Sequence, residues 1–488
     1  MLQIANLEEI TEKDIPSLLE KVEPILIKRR KLHEKYSRGA NDKKVMFSDD
    51  NELNKKTVLP FEKFITDLAT GYTAGDPRYV VDLSMDENKN EVLKNLLDKD
   101  IKDEEYQRSM EVLIEYITKY NDDHTENYNL IHDIFELTSC YEVIYENEYN
   151  EIVYSKYNPL QTVATWDYSI PENLTGLIRV WDEIDSVNGE VKKVEITDIN
   201  GSRIYRVNNG MAVEEIRNNF AWGDVPAFAV ETDYAIFEMA EDVIQAYEQL
   251  VQNVRNTYQY NDSDCKLLIT NYIPENPTMI IDDKGNSVIN QARIIEENMW
   301  LTSRTVFLQQ NGSVEWLSKP VDASGVETIL KTYVDLMFQL SGIPNTSDLA
   351  FNSADLNASA IDRKFYVMNM ATENVVSQLK KAYLRRWELI FNRINLKKGT
   401  NFDFRDINVE IPKNLPNNDS ELIDQMLKLQ GLISEQTIVE TIGYNYLSEK
   451  NKKDIESGDN TLASIERMQA MKNAGLVSSY YFSGNGDK

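Results

Sequence analysis

The segment from Ser359 to Leu396 repeats apolar residues at helical spacing without interruption, through Ile361, Phe365, Met368, Ala371, Val375, Leu379, Tyr383, Trp387, Ile390 and Ile394. A straight helix of that length reaches on the order of 55 Å. Before it lies a second striped helix, Gly325 to Leu340, with Val326, Ile329, Leu330, Tyr333, Leu336, Met337 and Leu340 on its stripe. Ser341-Gly342-Ile343-Pro344 stops that helix, because glycine caps a helix end and proline cannot continue it. The polar, small-residue stretch NTSDLAFNSADLNAS joins the two.

The rest of the chain alternates in character. Residues 1–40 read as helical, with Ile15, Leu19, Val22, Ile25 and Leu26 on the apolar side and Pro16 at the helix start. Pro24, inside the stretch, predicts a kink or a split. The basic cluster Lys28 to Lys31 reads as a solvated face, too short for a nucleic-acid arm. Phe61, Phe64, Ile65, Leu68 and Tyr72 mark a second helix, ended by Ala74-Gly75-Asp76-Pro77. Residues 103–138 are again helical. Tyr141 to Trp166 reads as a hairpin, and two further hairpins turn at Ser186-Val187-Asn188-Gly189 and Asn208-Asn209-Gly210, an antiparallel, half-exposed meander. A striped helix from Ile236 to Tyr258 follows Phe228–Val230. Residues 260–320 mix the strand-like KLLIT, TMIID and SVEWL with the turn-like DDKGNS, a small α/β insertion between two helices. Phe402–Ile411 is a short strand, and residues 417–488 are a polar helical tail with a break at Leu432-Ile433-Ser434-Glu435, where Ser434 caps the next helix.

With 488 residues the chain has room for roughly two to four compact units. No run of about 18 apolar residues occurs, so no membrane span is expected. The start, MLQIANLEEITEKDIP, lacks the basic and apolar regions of a secretory signal. Cys140 and Cys265 are the only cysteines, which argues against a disulfide framework and suits a reducing compartment; both read as small buried hydrophobes.

Catalytic constellations are absent from the sequence. The three histidines, His33, His124 and His132, form no HExxH and pair with no cysteine at zinc spacing. There is no GxxxxGK(S/T), no GxGxxG after a strand and no GxSxG. The acidic run Asp103-Glu104-Glu105 reads as a solvated helix end among 81 acidic residues, against the alternative of a Mg²⁺ site for a nuclease. The 26 tyrosines lack regular basic neighbours, which favours core and sheet packing over base stacking. No catalytic residue, metal ligand or cofactor is expected. What remains is architectural: two helices enclosing an insertion, with no obvious partner in a compact globule, suit a subunit that packs beside copies of itself.

Several segments resemble, in the same order, the siphophage portal family of phages infecting Gram-positive hosts. KRRKLHEKYSRG is similar to the family's early basic helix. FEKFITDLATGYTAGDPRYV is similar to its helix ending in Tyr-x-x-Gly-x-Pro, matched by Tyr72, Gly75 and Pro77. CYEVIYENEYNEIVYSKYNPLQTVATWD resembles its hairpin with a terminal Asn-Pro, here Asn158-Pro159. GDVPAFAVETD resembles the Val-Pro segment before the first stem helix, and LSGIPNTSDLAFNSADLNASAIDRK the tunnel loop. The family's loop is usually glycine-rich; Ser353 to Ser359 departs from that form. LQGLISEQTIVETIG resembles the crown.

The resemblance implies an α+β, predominantly helical portal fold with wing, stem, clip and crown, assembled as a ring of about twelve subunits at one capsid vertex of the virion. The wing maps to residues 1–235, the stem to 236–259 and 321–341, and the clip to 260–320. The tunnel loop maps to 342–358, a long wing helix and return strand to 359–413, and the crown to 414–488. Double-stranded DNA would pass through the ring during packaging and ejection. Implied partners are the terminase large subunit, a head-completion or adaptor protein, and the scaffold and major capsid proteins, with assembly in the host cytoplasm and no membrane. The loop residues expected to face DNA are Asn345, Thr346, Ser347, Asn352, Ser353 and Asn357. Lys331 is the candidate phosphate contact, against the plainer reading of a lysine on a solvated face. The net charge of −29 gives about twelve copies roughly −350, so the bore is expected to be mostly acidic and not to hold DNA by counterion release. A structural subunit without a channel, such as a minor capsid or adaptor protein, is the rival reading.

Overall fold

A computed structural model describes residues 2–41, 58–81, 104–185, 189–208, 210–219, 222–259, 266–270, 276–282, 285–302, 313–317, 322–345 and 358–414. The chain divides into two compact units, Met1–Asp355 with Asp362–Asn414, and Leu356–Ile361 with Leu415–Lys488; the contacts below lie within the first. Strands and helices occur in the order β1 (Leu2–Gln3), α1 (Ile15–Asn41), α2 (Phe61–Thr73), β2 (Arg78–Val81), α3 (Glu104–Tyr120) and α4 (Asp123–Leu137). There follow β3 (Ser139–Glu146), β4 (Ile152–Tyr157), β5 (Thr162–Trp166), β6 (Leu174–Asp185), β7 (Gly189–Thr197), β8 (Gly201–Asn208), β9 (Met211–Asn219) and β10 (Ala227–Glu231). Then come α5 (Glu241–Gln259), β11 (Lys266–Thr270), β12 (Met279–Ile281), β13 (Ser287–Ile289), α6 (Gln291–Thr302), β14 (Ser313–Leu317), α7 (Ala323–Ser341), α8 (Ala358–Lys398) and β15 (Ile407–Glu410). The class is α+β, with helix the larger share.

The meander forms as its alternation and turns dictate. Strands β5 to β9 pair antiparallel in sequence order, and β1 adds in parallel to β5. Successive residues of a strand face opposite ways, and both faces of this sheet are used. Val163, Ile178, Val180, Val194 and Ile196 pack under Ile15, Leu18, Val22 and Leu26 of α1. Ala164 and Leu177, their immediate neighbours, turn to the other face and meet Tyr141, Val143 and Ala227 of a second sheet, ordered β10-β3-β4. Each fully buried aliphatic side chain contributes about 1.5–3 kcal/mol, so α1 is held chiefly by this contact.

Several expectations are corrected. Helix α1 runs through Pro24 as one element, its inner face held to the sheet on both sides of the proline by Val22 and Leu26. The chain's first residues form strand β1 and not helix. Residues 103–138 are two helices, separated where Asp122 adopts a left-handed conformation (φ 50°). Of the stretch read as one hairpin, only β3 and β4 pair; β5 crosses to the larger sheet. The helix expected from Ile236 begins at Glu241, after a single 3₁₀ turn at Glu238–Ala240. Arg29, in the cluster read as solvated, is buried and donates to the carbonyls of Pro159 and Thr162, to the Tyr141 hydroxyl and to Glu231.

The Ala74–Pro77 breaker is a junction. The Tyr72 hydroxyl donates to Asn369 Oδ1 at 2.6 Å, and its ring stacks on Phe365 at 5.3 Å. The Tyr72 carbonyl accepts from the Asn414 N–H, and the Gly75 carbonyl from Asn127. A Cβ on Gly75 would lie 2.1 Å from the Pro412 carbonyl oxygen, a backbone atom that cannot turn aside. Gly75→Ala is therefore expected to lower stability by about 2–3 kcal/mol, read as a shifted urea midpoint with unchanged slope.

Candidate functional site

The two helices flanking the insertion pack on each other and on α2. Phe61 meets Tyr247 of α5 edge to face at 5.5 Å, and Phe64 meets Phe338 of α7 at 6.2 Å. Glu248, buried on α5, accepts from Arg38 Nη2 at 2.7 Å and from the Leu59 N–H at 2.9 Å. The same Arg38 nitrogen reaches Glu62 at 3.3 Å. These contacts fix the near ends of both helices.

Helix α7 starts two residues before the expected Gly325, since Asp322 caps it by accepting from the Gly325 N–H at 3.1 Å. It ends in a Schellman motif. Gly342 takes φ 70°, its N–H donates to the Gln339 carbonyl, and the Ile343 N–H donates to the Phe338 carbonyl. Phe338 and Ile343 are both buried, the apolar contact that accompanies such caps. A Cβ on Gly342 would stand 2.8 Å from the Ala371 Cβ, so the glycine also lets α7 approach α8. The stripe read from sequence is only partly covered. Met337 and Phe338 are buried, whereas Ile329, Leu336 and Leu340 are exposed along one side.

Lys331 stands on the outer surface of α7 with its side chain 73% exposed, and its Nζ pairs with Glu327 Oε1 at 2.9 Å. The hydrogen bond that Lys331 donates to Glu327 pushes the lysine pKa up. Asp335 follows one turn later, so this lysine stands in a column of acids. Of the expected loop residues, Asn345 is described and half-buried. Thr346, Ser347, Asn352, Ser353 and Asn357 lie outside the described residues.

Helix α8 is held in its second half by a centre that the sequence did not reveal. Arg386 of α8 is fully buried and grips Glu142 of β3 with two bonds, Nε to Oε1 at 2.7 Å and Nη2 to Oε2 at 2.6 Å. Its Nη1 donates to Asp123 at 2.5 Å and to the Tyr79 hydroxyl at 3.0 Å. The hydroxyls of Tyr79 and Tyr154 in turn donate to Asp123. The guanidinium lies over the rings of Tyr154 and Tyr383, 4.1 and 4.4 Å from their centroids. Burial opposes the charge on Arg386, and Glu142 and Asp123 restore it. Burial raises the Glu142 carboxyl above its ordinary range, even though Arg386 pulls it down. The two-point grip is that of an ionised carboxylate on a guanidinium, and that is the state the fold requires at neutral pH. Arg393, two turns on, holds Glu146 in the same way and keeps that carboxyl low, at about 2.

Removing one partner of a buried pair leaves the other charge uncompensated, at a cost of about 3–5 kcal/mol. Arg386→Met is expected to destabilise by that amount, and Arg386→Met with Glu142→Gln to recover part of it, a coupling that a double-mutant cycle in urea measures. Asp133 supplies a pH signature. Burial pushes it up to about 6 although Lys156 lies 3.1 Å away. The native state therefore keeps that proton longer than the unfolded chain, and stability falls as pH rises from the ordinary carboxylate range to about 6. Relative to Asp133→Asn, the unmodified chain is expected to lose melting temperature across that window and to run parallel above it.

Among the described residues no group of three or more acidic, histidine or cysteine side chains is placed to hold a metal ion, and no described helix is long and apolar enough to cross a membrane. Residues 26–473 match the family described as phage portal protein, SPP1 Gp6-like. Solved structures similar to the chain include the neck of an empty GTA particle computed with C6 symmetry. It is 11% identical with a TM-score of 0.38, over 83% of this chain and 93% of that one. Another is the neck of a native GTA particle computed with C12 symmetry, 10% identical with a TM-score of 0.37, over 78% and 89%. No curated protein matches the chain.

Proposed function

The chain belongs to the SPP1 Gp6-like family of phage portal proteins, and we propose that its copies close into a ring whose bore passes double-stranded DNA without gripping it. The observation that carries the ring is the uncovered side of α7, where Ile329, Leu336 and Leu340 form an exposed stripe on a helix whose buried residues are Met337, Phe338 and Ser341 near its end. Large apolar side chains repeated along one helix side mark a surface meant for a partner, and a closed ring supplies that partner from a second copy.

Within that reading, residues 1–235 with the strand near 402–411 are the wing, α5 and α7 the stem, and residues 260–320 the clip. Residues 342–358 are the tunnel loop, 359–413 the long wing helix and return strand, and 414–488 the crown. The ring stands at a capsid vertex of the virion after assembly in the host cytoplasm. It meets the terminase large subunit during packaging, a head-completion or adaptor protein afterwards, and scaffold and major capsid proteins during assembly. Asn345, Thr346, Ser347, Asn352, Ser353 and Asn357 face the DNA as uncharged polar groups. A phosphate contact by Lys331 competes with its pair to Glu327, which supports a weak, passing contact.

The test is an electron micrograph of the purified protein, expected to show closed rings with a central hole wide enough for duplex DNA; solid or open particles would refute the reading. On rings, affinity for duplex DNA is expected to vary little with salt. Lys331→Ala should reduce the logarithmic salt slope by at most about one for each phosphate the lysine neutralises, measured by fluorescence anisotropy across a salt series.

A further inference from the structure

A single cation on α1 holds two buried carboxylates from different helices. Arg38 Nη2 donates to Glu248 Oε1 on α5 at 2.7 Å and stands 3.3 Å from Glu62 Oε1 on α2. Both acids are almost wholly out of water, Glu62 with 1% of its surface exposed and Glu248 with 4%. The guanidinium reaches both through one nitrogen; its Nε is buried and has no hydrogen-bond partner among the described residues. At Arg386, by contrast, two nitrogens grip the one carboxylate of Glu142. Glu248 has a second donor, the Leu59 N–H at 2.9 Å. Glu62 Oε2 is buried and has no hydrogen-bond partner among the described residues.

Charge balance bears on where a proton sits. Two ionised carboxylates on one guanidinium leave a buried negative charge unpaired, whereas a neutral carboxylic acid costs far less to bury. Glu248, with the shorter ion pair and a backbone donor, is the better anion. Glu62, with the longer pair and a bare oxygen, is the better acid. Burial raises the Glu62 carboxyl above its ordinary range; its own N–H and Arg38 lower it, and Glu248 and Glu241 raise it again. Glu241, also on α5, is itself paired to Lys35 of α1 at 2.6 Å. Two further helices pack on α2. On α4, Glu136 turns to His33, and His132 to Tyr36 and Asp67. From α7 comes the Phe338 ring, against Phe64.

We propose that the joint between α5 and the α1–α2 pair is proton-operated: Glu62 holds a proton while the joint is closed and loses it as the joint opens. Ionised, Glu62 competes with Glu248 for Arg38, and the near end of α5 loses its hold. The inference stands on contacts within one subunit and needs no ring. Because the folded state raises this carboxyl, its contribution is whole below the ordinary carboxylate range and is lost as pH rises through the raised value.

The test is hydrogen exchange of the full chain from about pH 4 to about pH 8, read by mass spectrometry on peptides covering Glu241–Leu250 and corrected for the intrinsic rate at each pH. In the unmodified chain, protection of those peptides is expected to fall as pH rises, about tenfold for each unit by which folding raises the Glu62 carboxyl. Glu62→Gln keeps the shape of the protonated acid and cannot ionise, so it should remove that fall. Glu248→Gln takes away the competing carboxylate and should move the fall to lower pH. Peptides of β7 and β8, remote from Arg38 in the fold, are expected to respond alike in all three proteins. No fall in the unmodified chain, or the same fall in Glu62→Gln, would overturn the inference. So would a fall that Glu248→Gln leaves where it was.

Discussion

The Arg386 guanidinium sits where β2, β3, β4 and the start of α4 converge on α8. It is bonded to Glu142 on β3, Asp123 at the start of α4 and Tyr79 on β2, and stacked against Tyr154 on β4 and Tyr383 of its own helix. An ion with no exposed surface is tolerable only when every donor is matched, and five ring and carboxylate neighbours supply that match. Such a knot permits few alternatives: slide α8 by one turn and a charge is stranded in the interior. The position of the long helix follows from this constraint.

The same helix changes character along its length. From Val375 to Phe391 it is core, lined by Val376, Leu379, Tyr383, Trp387 and Ile390. Further towards its start, Tyr366, Val367 and Met370 are exposed, and Tyr72 clasps Phe365 and Asn369 from the other side. A rod anchored at one end and partly bare at the other carries the rigidity of the core out to its bare end. Gly342 completes the arrangement, because only a residue without a side chain both turns left-handed and lets α7 close on Ala371.

Local features were legible in the sequence and long-range ones were not. Both helices around the loop, the glycine stop and the hairpins of the meander follow from spacing and turn residues within a few positions of one another. Arg386 gave no such signal. It follows another arginine in a helix rich in basic residues, and its partners Glu142 and Asp123 lie 244 and 263 positions away. Arg29 misled for the same reason, since a run of basic residues looks solvated until the fold brings Glu231 and the Pro159 carbonyl to it. Pro24 shows tertiary contact overriding a local rule: one missing hydrogen bond is a small loss against the apolar face that α1 lays on the sheet. The stripe on α7 is legible as a pattern, but periodicity cannot say whether a given apolar residue meets its own chain or another.

That last ambiguity is where charge becomes informative. A chain of −29 gains nothing by bringing acidic surfaces together, and the column of Glu327, Lys331 and Asp335 on α7 offers little to attract a second copy or a phosphate. On the opposite side of the helix run Ile329, Leu336 and Leu340, and within the insertion stands a hairpin without a charge on either strand. Non-directional apolar contact can then hold like-charged copies together, whereas acidic side chains offer a phosphate backbone nothing to settle on. Association and release thus depend on different side chains of the same helices. The acidity that weakens any hold on DNA need not weaken the ring.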